Sequence, residues 1–248
     1  MQKVKLNIFH TPEAVLQQLA DYFVEVANQA VADHGQFNVS LSGGTSPKKL
    51  YQLLASTDYN QKVDWGNVCF FFGDERNVPA DSPDSNYRMV KEVLFDPLQI
   101  PASQIIPVNT TLPPEQAAEA YAMAVHTHFK PYNAKFDLML LGLGDNSHTA
   151  SLFPHTSVLA EQESTVKAVF LEDQQAYRIT MTATMINAAH HIAFLVYGSG
   201  KAEAVHHVLE DSLNIEEYPA QLINPEHGDV QWFIDEAAAS LLKNSYLD

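Results

Sequence analysis

Hydrophobic positions along this chain switch between two periods, and each switch marks an element. Residues 1–9 alternate apolar and polar side chains, as a half-exposed strand does. Thr11-Pro12-Glu13 then supplies an N-cap hydroxyl, a proline at the first helical position and an acidic first turn. Leu16, Leu19, Phe23, Val26, Ala30 and Val31 follow at helical spacing, and Gly35 closes that helix. Phe37, Val39 and Leu41 alternate as a strand, and Ser46-Pro47 is expected to cap a second helix bearing Leu50, Leu53 and Leu54. Further on, the pattern predicts strands over 68–72, 136–141, 166–171, 178–181, 191–197 and 230–234. It predicts helices over 86–95, 115–129, 201–209 and 236–242. Strands alternating with helices imply a single-domain α/β fold: a largely parallel, Rossmann-like sheet with helices on both faces, and a small antiparallel addition near 166–182. No linker-like tract or internal repeat interrupts residues 1–248, which read as one domain.

Composition narrows the partners. Hydrophobic residues make up 46% of the 248 and charged residues 18%, enough for a sizeable core. The formal net charge of -16 repels nucleic acid and anionic membranes, so neither is expected as a partner. An anionic ligand then needs local cations, which gives weight to each of the 14 Lys and Arg residues. Cys69, the single cysteine, falls in an apolar run and reads as a buried, inert thiol. The N-terminus has no signal-peptide-like apolar run and no stretch is long enough to span a bilayer, so the chain is expected to be cytoplasmic.

Candidate chemistry collects where predicted strands end, the place where open α/β sheets bind ligands. Leu41-Ser-Gly-Gly-Thr-Ser-Pro47 joins a strand to a helix N-terminus through two glycines. The backbone of Gly43 and Gly44 and the hydroxyls of Ser42, Thr45 and Ser46 make it an anion site in physical terms; the alternative is a capped turn. Phe72-Gly-Asp-Glu-Arg76 places Asp74, Glu75 and Arg76 directly after an apolar strand. Those carboxylates suit a sugar hydroxyl, a histidine or Arg76 itself, against the alternative of a solvated turn. Gly142-Leu-Gly-Asp-Asn-Ser-His148 delivers one histidine with Asp145, Asn146, Ser147, Thr149 and Ser151 beside it. Histidine suits proton transfer near neutral pH, although a lone loop histidine is more often an ordinary surface residue. Arg178 and Lys201 lie at strand ends and are candidates for a phosphate clamp. The glycine turns lack the Walker A and dinucleotide fingerprints, no G-x-S-x-G elbow is present, and the histidine pairs lack zinc spacing.

Several blocks resemble the 6-phosphogluconolactonase family: Ser42-Gly-Gly-Thr-Ser-Pro47, Gly73-Asp-Glu-Arg76 with Asp84-Ser-Asn-Tyr87, His148-Thr-Ala-Ser-Leu-Phe-Pro154, Arg178-Ile-Thr-Met-Thr182 and Gly198-x-Gly-Lys201. They occur in the family's order from residue 37 to about 205. The resemblance implies the sugar-phosphate isomerase/lactonase fold and hydrolysis of 6-phospho-D-glucono-1,5-lactone to 6-phosphogluconate in the pentose phosphate pathway, with no metal or cofactor. It implies His148, Asp74 and Asn146 as catalytic residues and Ser42, Gly43, Gly44, Thr45, Ser46, Arg76, Arg178 and Lys201 as substrate-binding ones. The expected partner is a small phosphosugar lactone, and the chain is expected to be a monomer. One departure stands out: the family usually has Asp-Gly-His where this chain has Asn146-Ser147-His148. Either Asp145 takes over from the missing carboxylate, or Asn146 orients the ring through a neutral hydrogen bond. Two other functions share the pattern: a glucosamine-6-phosphate deaminase/isomerase using Asp74 as its base, and a non-enzymatic phosphosugar-sensing module.

Overall fold

The structure is a computed structural model and describes residues 4–129 and 135–243. Its strands are β1 (Lys5–Phe9), β2 (Phe37–Leu41), β3 (Val68–Phe72), β4 (Asp74–Arg76), β5 (Leu138–Leu141), β6 (Val166–Leu171), β7 (Ala176–Met181), β8 (His191–Val196) and β9 (Asp229–Asp235). Its α-helices are α1 (Pro12–His34), α2 (Thr45–Leu54), α3 (Asn86–Val90), α4 (Asp96–Leu98), α5 (Pro114–His128), α6 (Ala183–Ile186) and α7 (Ala202–Glu210). Six strands form a sheet in the order β1-β9-β8-β5-β2-β3, every adjacent pair parallel. A separate antiparallel sheet has the order β4-β7-β6.

Strand order places the functional end. From β2 the chain moves outward to β3, whereas from β5, on the other side of β2, it moves to β8. The carboxyl ends of β2 and β5 therefore flank a topological switch point, where the two following turns diverge and leave a crevice.

Alternation sorts the core. In β3, Val68, Phe70 and Phe72 join the apolar layer under α1 and α2, while Cys69 and Phe71 join the layer that includes α5. α1 follows its sequence signals closely: Thr11 Oγ1 accepts from the Ala14 amide at 3.2 Å, and Gly35 ends the helix at φ +84° with its amide donating to Val31 O. Cys69 is buried, and burial pushes its thiol pKa up, as an inert core thiol requires.

Three expectations need correction, and one alternative, the solvated turn at 74–76, is replaced by a strand. Helix α2 starts at Thr45 behind Gly44, which sits at φ +108°, so Ser46-Pro47 is inside the first turn and caps nothing. Residues 86–95 are not one α-helix; α3 passes into a π-helical stretch at Lys91–Phe95 and then into α4. Asp74–Arg76 is a strand of the antiparallel sheet rather than a turn. Residues 236–242 form turns, not a helix. There the Asp235 carboxylate accepts from the Ala238 amide at 2.8 Å and from the Gly198 amide, so it ties the chain end to the β8–α7 turn. A segment this short does not nucleate a helix on propensity alone.

Candidate active site

The turn after β2 is held from below by Tyr51. Its buried hydroxyl accepts from the Ser42 amide at 3.0 Å and donates to Ser42 O at 2.8 Å. Tyr121 does the same at the end of β3, accepting from the Phe72 amide at 2.7 Å and donating to Phe72 O at 3.0 Å. Each phenol thus replaces a missing ladder partner where a strand gives way to a functional turn. Burial pushes both phenol pKa values well up, so the two hydroxyls remain neutral clamps. Ser42 is 6% exposed and its Oγ has no hydrogen-bond partner. Among the described residues neither the Gly43 nor the Gly44 amide donates to a backbone carbonyl. With the orphan amides of the α2 N-terminus beside them, these groups form a donor-rich rim.

Beyond β3, the three adjacent charges separate by role. Glu75 is a buried clamp: its carboxylate accepts from the amides of Arg76, Asn86 and Tyr87 at 2.7, 2.8 and 2.8 Å, and from Ser85 Oγ at 3.2 Å. That fixes the start of α3 against β4 and leaves Glu75 no capacity for a ligand. Asn86, so anchored, donates from Nδ2 to Asp74 O at 3.0 Å and lies over Gly43. A Cβ on Gly43 would sit 1.8 Å from Asn86 Oδ1, so only glycine admits this contact. Asp74 is buried and accepts from Ser151 Oγ at 2.6 Å; burial raises its pKa, opposed by Ser151, Arg76 and Arg178.

The histidine turn closes on itself. Gly144 N donates to His148 O at 2.8 Å and Ser147 N donates to Gly144 O at 2.9 Å, with Ser147 at φ +61°. The position where the resemblance expects glycine therefore keeps a left-handed backbone despite its side chain. The buried Ser147 is also strapped by the Ala220 amide, which donates to its carbonyl at 2.9 Å. The imidazole stacks on Phe153 at a centroid distance of 3.9 Å and lies over Gly144, where a Cβ would come within 2.0 Å of Nδ1. His148 Nδ1 meets Asn146 Oδ1 at 2.5 Å. Since that oxygen only accepts, Nδ1 carries the proton and Nε2 keeps its lone pair. Burial, then the positive charges of Lys201, Arg178 and Arg76, lower the His148 pKa to about 4, against the opposing pull of Asp145. The ring is neutral at physiological pH.

The cations are arranged unevenly. Arg76 and Arg178 face each other across the β4–β7 ladder. Like charges directly opposite are destabilising unless something answers them. Among the described residues neither guanidinium forms an ion pair with a carboxylate; Arg76 donates to Asp84 O at 2.9 Å and Arg178 to Gln174 Oε1 at 2.5 Å. Lys201, by contrast, is paired with Asp145, Nζ to Oδ1 at 2.5 Å. Asp145 is thus engaged away from the ring, and Asn146 is the residue on Nδ1.

A cleft of about 200 Å³ gathers Ser42, Gly43, Gly44, Asp74, Arg76 and His148 on its walls, with Asn86 and Thr149. Arg178 and Lys201 stand outside that wall, close enough for their charge to act on His148. Thr45 and Ser46 are not on the wall; they contribute the helix end. Tyr51, Tyr121 and Ser151's bond to Asp74 were not foreseeable from spacing. Asn86 had a signal, in the block Asp84-Ser-Asn-Tyr87.

A family model described as glucosamine-6-phosphate isomerases/6-phosphogluconolactonase matches residues 10–232. The chain belongs to this family. Within the family, a 6-phosphogluconolactonase of Synechocystis sp. is 39% identical over 219 residues, covering 87% of this chain and 88% of its own. A solved 6-phosphogluconolactonase from Trypanosoma cruzi is 27% identical with a TM-score of 0.86, covering 98% of each chain. A solved monomeric glucosamine-6-phosphate deaminase, 24% identical, reaches a TM-score of 0.83 over 96% of this chain and 100% of its own, a likeness of fold alone. Family membership thus spans two activities, and the side chains of the cleft must decide between them.

Proposed function

We propose that the protein hydrolyses 6-phospho-D-glucono-1,5-lactone to 6-phosphogluconate with His148 as general base. The observation that carries this reading is a neutral imidazole with its Nδ1 held by Asn146 and, among the described residues, no hydrogen bond at Nε2, in one cleft with Arg76, which forms no ion pair with a described carboxylate. Arg76, Arg178 and Lys201 bind the phosphate and so hold the lactone by the end remote from the reaction. Water adds to C1 as His148 Nε2 takes its proton. Negative charge develops on the carbonyl oxygen, and the Gly43 and Gly44 amides are the donors offered to it. The tetrahedral intermediate collapses, the C1–ring-oxygen bond breaks, and the imidazolium returns its proton to the departing oxygen. The new carboxylic acid then ionises, releasing one proton to solvent. General base help of this kind is worth about 10²–10⁴-fold. Asp74 and Ser42 provide acceptor and donor for the sugar hydroxyls.

Two relatives point the same way, the Synechocystis and Trypanosoma cruzi proteins both being named 6-phosphogluconolactonases. The test generates the lactone in situ and follows acid release with and without the protein, beside ammonia release from glucosamine 6-phosphate. Acid release that His148→Asn removes is the expected result. Ammonia release without lactone hydrolysis selects the deaminase reading instead and overturns ours.

A further inference from the structure

Among the described residues, of Arg76, Arg178 and Lys201 only Lys201 forms a direct ion pair with a carboxylate, and that carboxylate comes from the histidine turn; the arginines feel Asp74 at longer range. We propose that Asp145 tunes phosphate affinity: its carboxylate competes for the Lys201 ammonium, and an incoming phosphate must displace it to complete the clamp. The inference rests on the reading of the cleft as a phosphosugar site.

The geometry favours an exchange over a permanent pair. The Asp145 side chain is 81% exposed and that of Lys201 30%, so the carboxylate approaches from solvent and returns there at little cost. Both backbones are fixed independently of the pair. Asp145 lies within the turn closed by the Gly144–His148 and Ser147–Gly144 bonds. Lys201 follows Gly198, whose amide donates to the buried Asp235 carboxylate at 2.9 Å. Only two side chains need to rotate. The arginines show the contrast: opposed in register, among the described residues they donate to a carbonyl and an amide oxygen rather than to a carboxylate. A phosphate carries close to two charges and three acceptor oxygens, so it can satisfy both guanidiniums and still outcompete one carboxylate for Lys201. A weaker anion meets the arginines but leaves the Lys201–Asp145 pair intact. In a chain of net charge -16, this neutralises one site cation until an anion strong enough to displace Asp145 arrives.

The experiment is a double-mutant cycle on the full-length protein: wild type, Asp145→Asn, Lys201→Ala and the double variant. Each is titrated by calorimetry with 6-phosphogluconate, inorganic phosphate and gluconate at constant ionic strength, and lactone hydrolysis is measured in parallel. Asp145→Asn is expected to bind 6-phosphogluconate and inorganic phosphate about two- to fivefold more tightly, the worth of an ion pair this exposed. Gluconate binding should not change, and the gain should largely vanish in the Lys201→Ala background. Unchanged or weaker phosphate binding in Asp145→Asn overturns the proposal. An equal gain with and without Lys201 also overturns it, since that is a field effect of the lost charge. If wild type fails to hydrolyse the lactone while inorganic phosphate still shows the Lys201-dependent gain, the functional reading falls and the exchange stands.

Discussion

Replacing Asn146 by aspartate puts a carboxylate on His148 Nδ1, and the consequence is calculable. The amide oxygen lies 2.5 Å from that nitrogen, which puts the charge centres of carboxylate and imidazolium roughly 4 Å apart. Two unit charges at that separation interact by about 4 kcal/mol at an effective dielectric of about 20, equivalent to about 3 pH units. Asn146 is exposed, and solvent screening brings the expected rise to about 1–2 pH units. His148 starts at about 4, so the variant's ring should titrate at about 5–6. The sign follows from the mechanism. The base works unprotonated, so activity is lost as pH falls through its pKa. Wild type should stay active to near pH 4 on this limb, and Asn146→Asp should lose activity at higher pH. Above both pKa values the variant should be faster, because the stronger base takes the proton more readily. A carboxylate also presents acceptors only, so it cannot hold the ring in the wrong tautomer. The assay is kcat/KM against pH for both proteins, corrected for spontaneous hydrolysis. The substrate phosphate titrates identically in both and cancels in the comparison. Superimposable acid limbs would refute the claim that residue 146 sets the basicity of His148.

Gly144→Ala forces a Cβ to within 2.0 Å of the imidazole, so it should cut turnover by about 100-fold while the folded fraction stays near wild type; normal turnover would show that the ring's position is not critical. Arg178→Gln removes one of two facing guanidiniums, so thermal melting should rise or hold while the preference for phosphorylated over plain gluconolactone collapses. A fall of several degrees there would show that Arg178 is structural. Glu75→Gln turns an amide NH2 toward backbone donors in a buried clamp, and should cost about 2–3 kcal/mol, roughly 4–12 °C in Tm by calorimetry. Melting within a degree of wild type would falsify the clamp.

The sequence carried the site further than the fold's details. Helix α1 was legible because cap, proline and closing glycine all act within a few residues, and structure agrees with each. The end of the chain misled because alanine-rich spacing favours a helix, whereas Asp235 spends its carboxylate on the Ala238 and Gly198 amides. The strand at Asp74–Arg76 was invisible because its partner is β7, about a hundred residues on, and no local pattern encodes that pairing. For the same reason Arg76 and Arg178 were each visible as cations but not as an opposed pair. The sequence favours Asn146 over Asp145 as the partner of the ring only on the ground that adjacent turn residues point in different directions. The structure separates them by partner: Lys201 for one, His148 for the other.

That separation joins binding to catalysis. The three cations that suit a phosphate are the same ones that, after burial, depress the histidine. Those charges hold the base weak, and a phosphate dianion answering them should restore part of its basicity. A histidine C2 proton, assigned by its loss in His148→Asn, should accordingly titrate at higher pH with 6-phosphogluconate bound than without it. An unphosphorylated lactone brings no such charge, so it suffers twice, through weaker binding and through a weaker base. A titration unmoved by 6-phosphogluconate would leave discrimination to binding alone, and would detach His148 from the field of Arg76, Arg178 and Lys201. If the shift is present, the missing aspartate at position 146 matters less than it first looks. The substrate itself then supplies negative charge near the ring at the moment the proton must move.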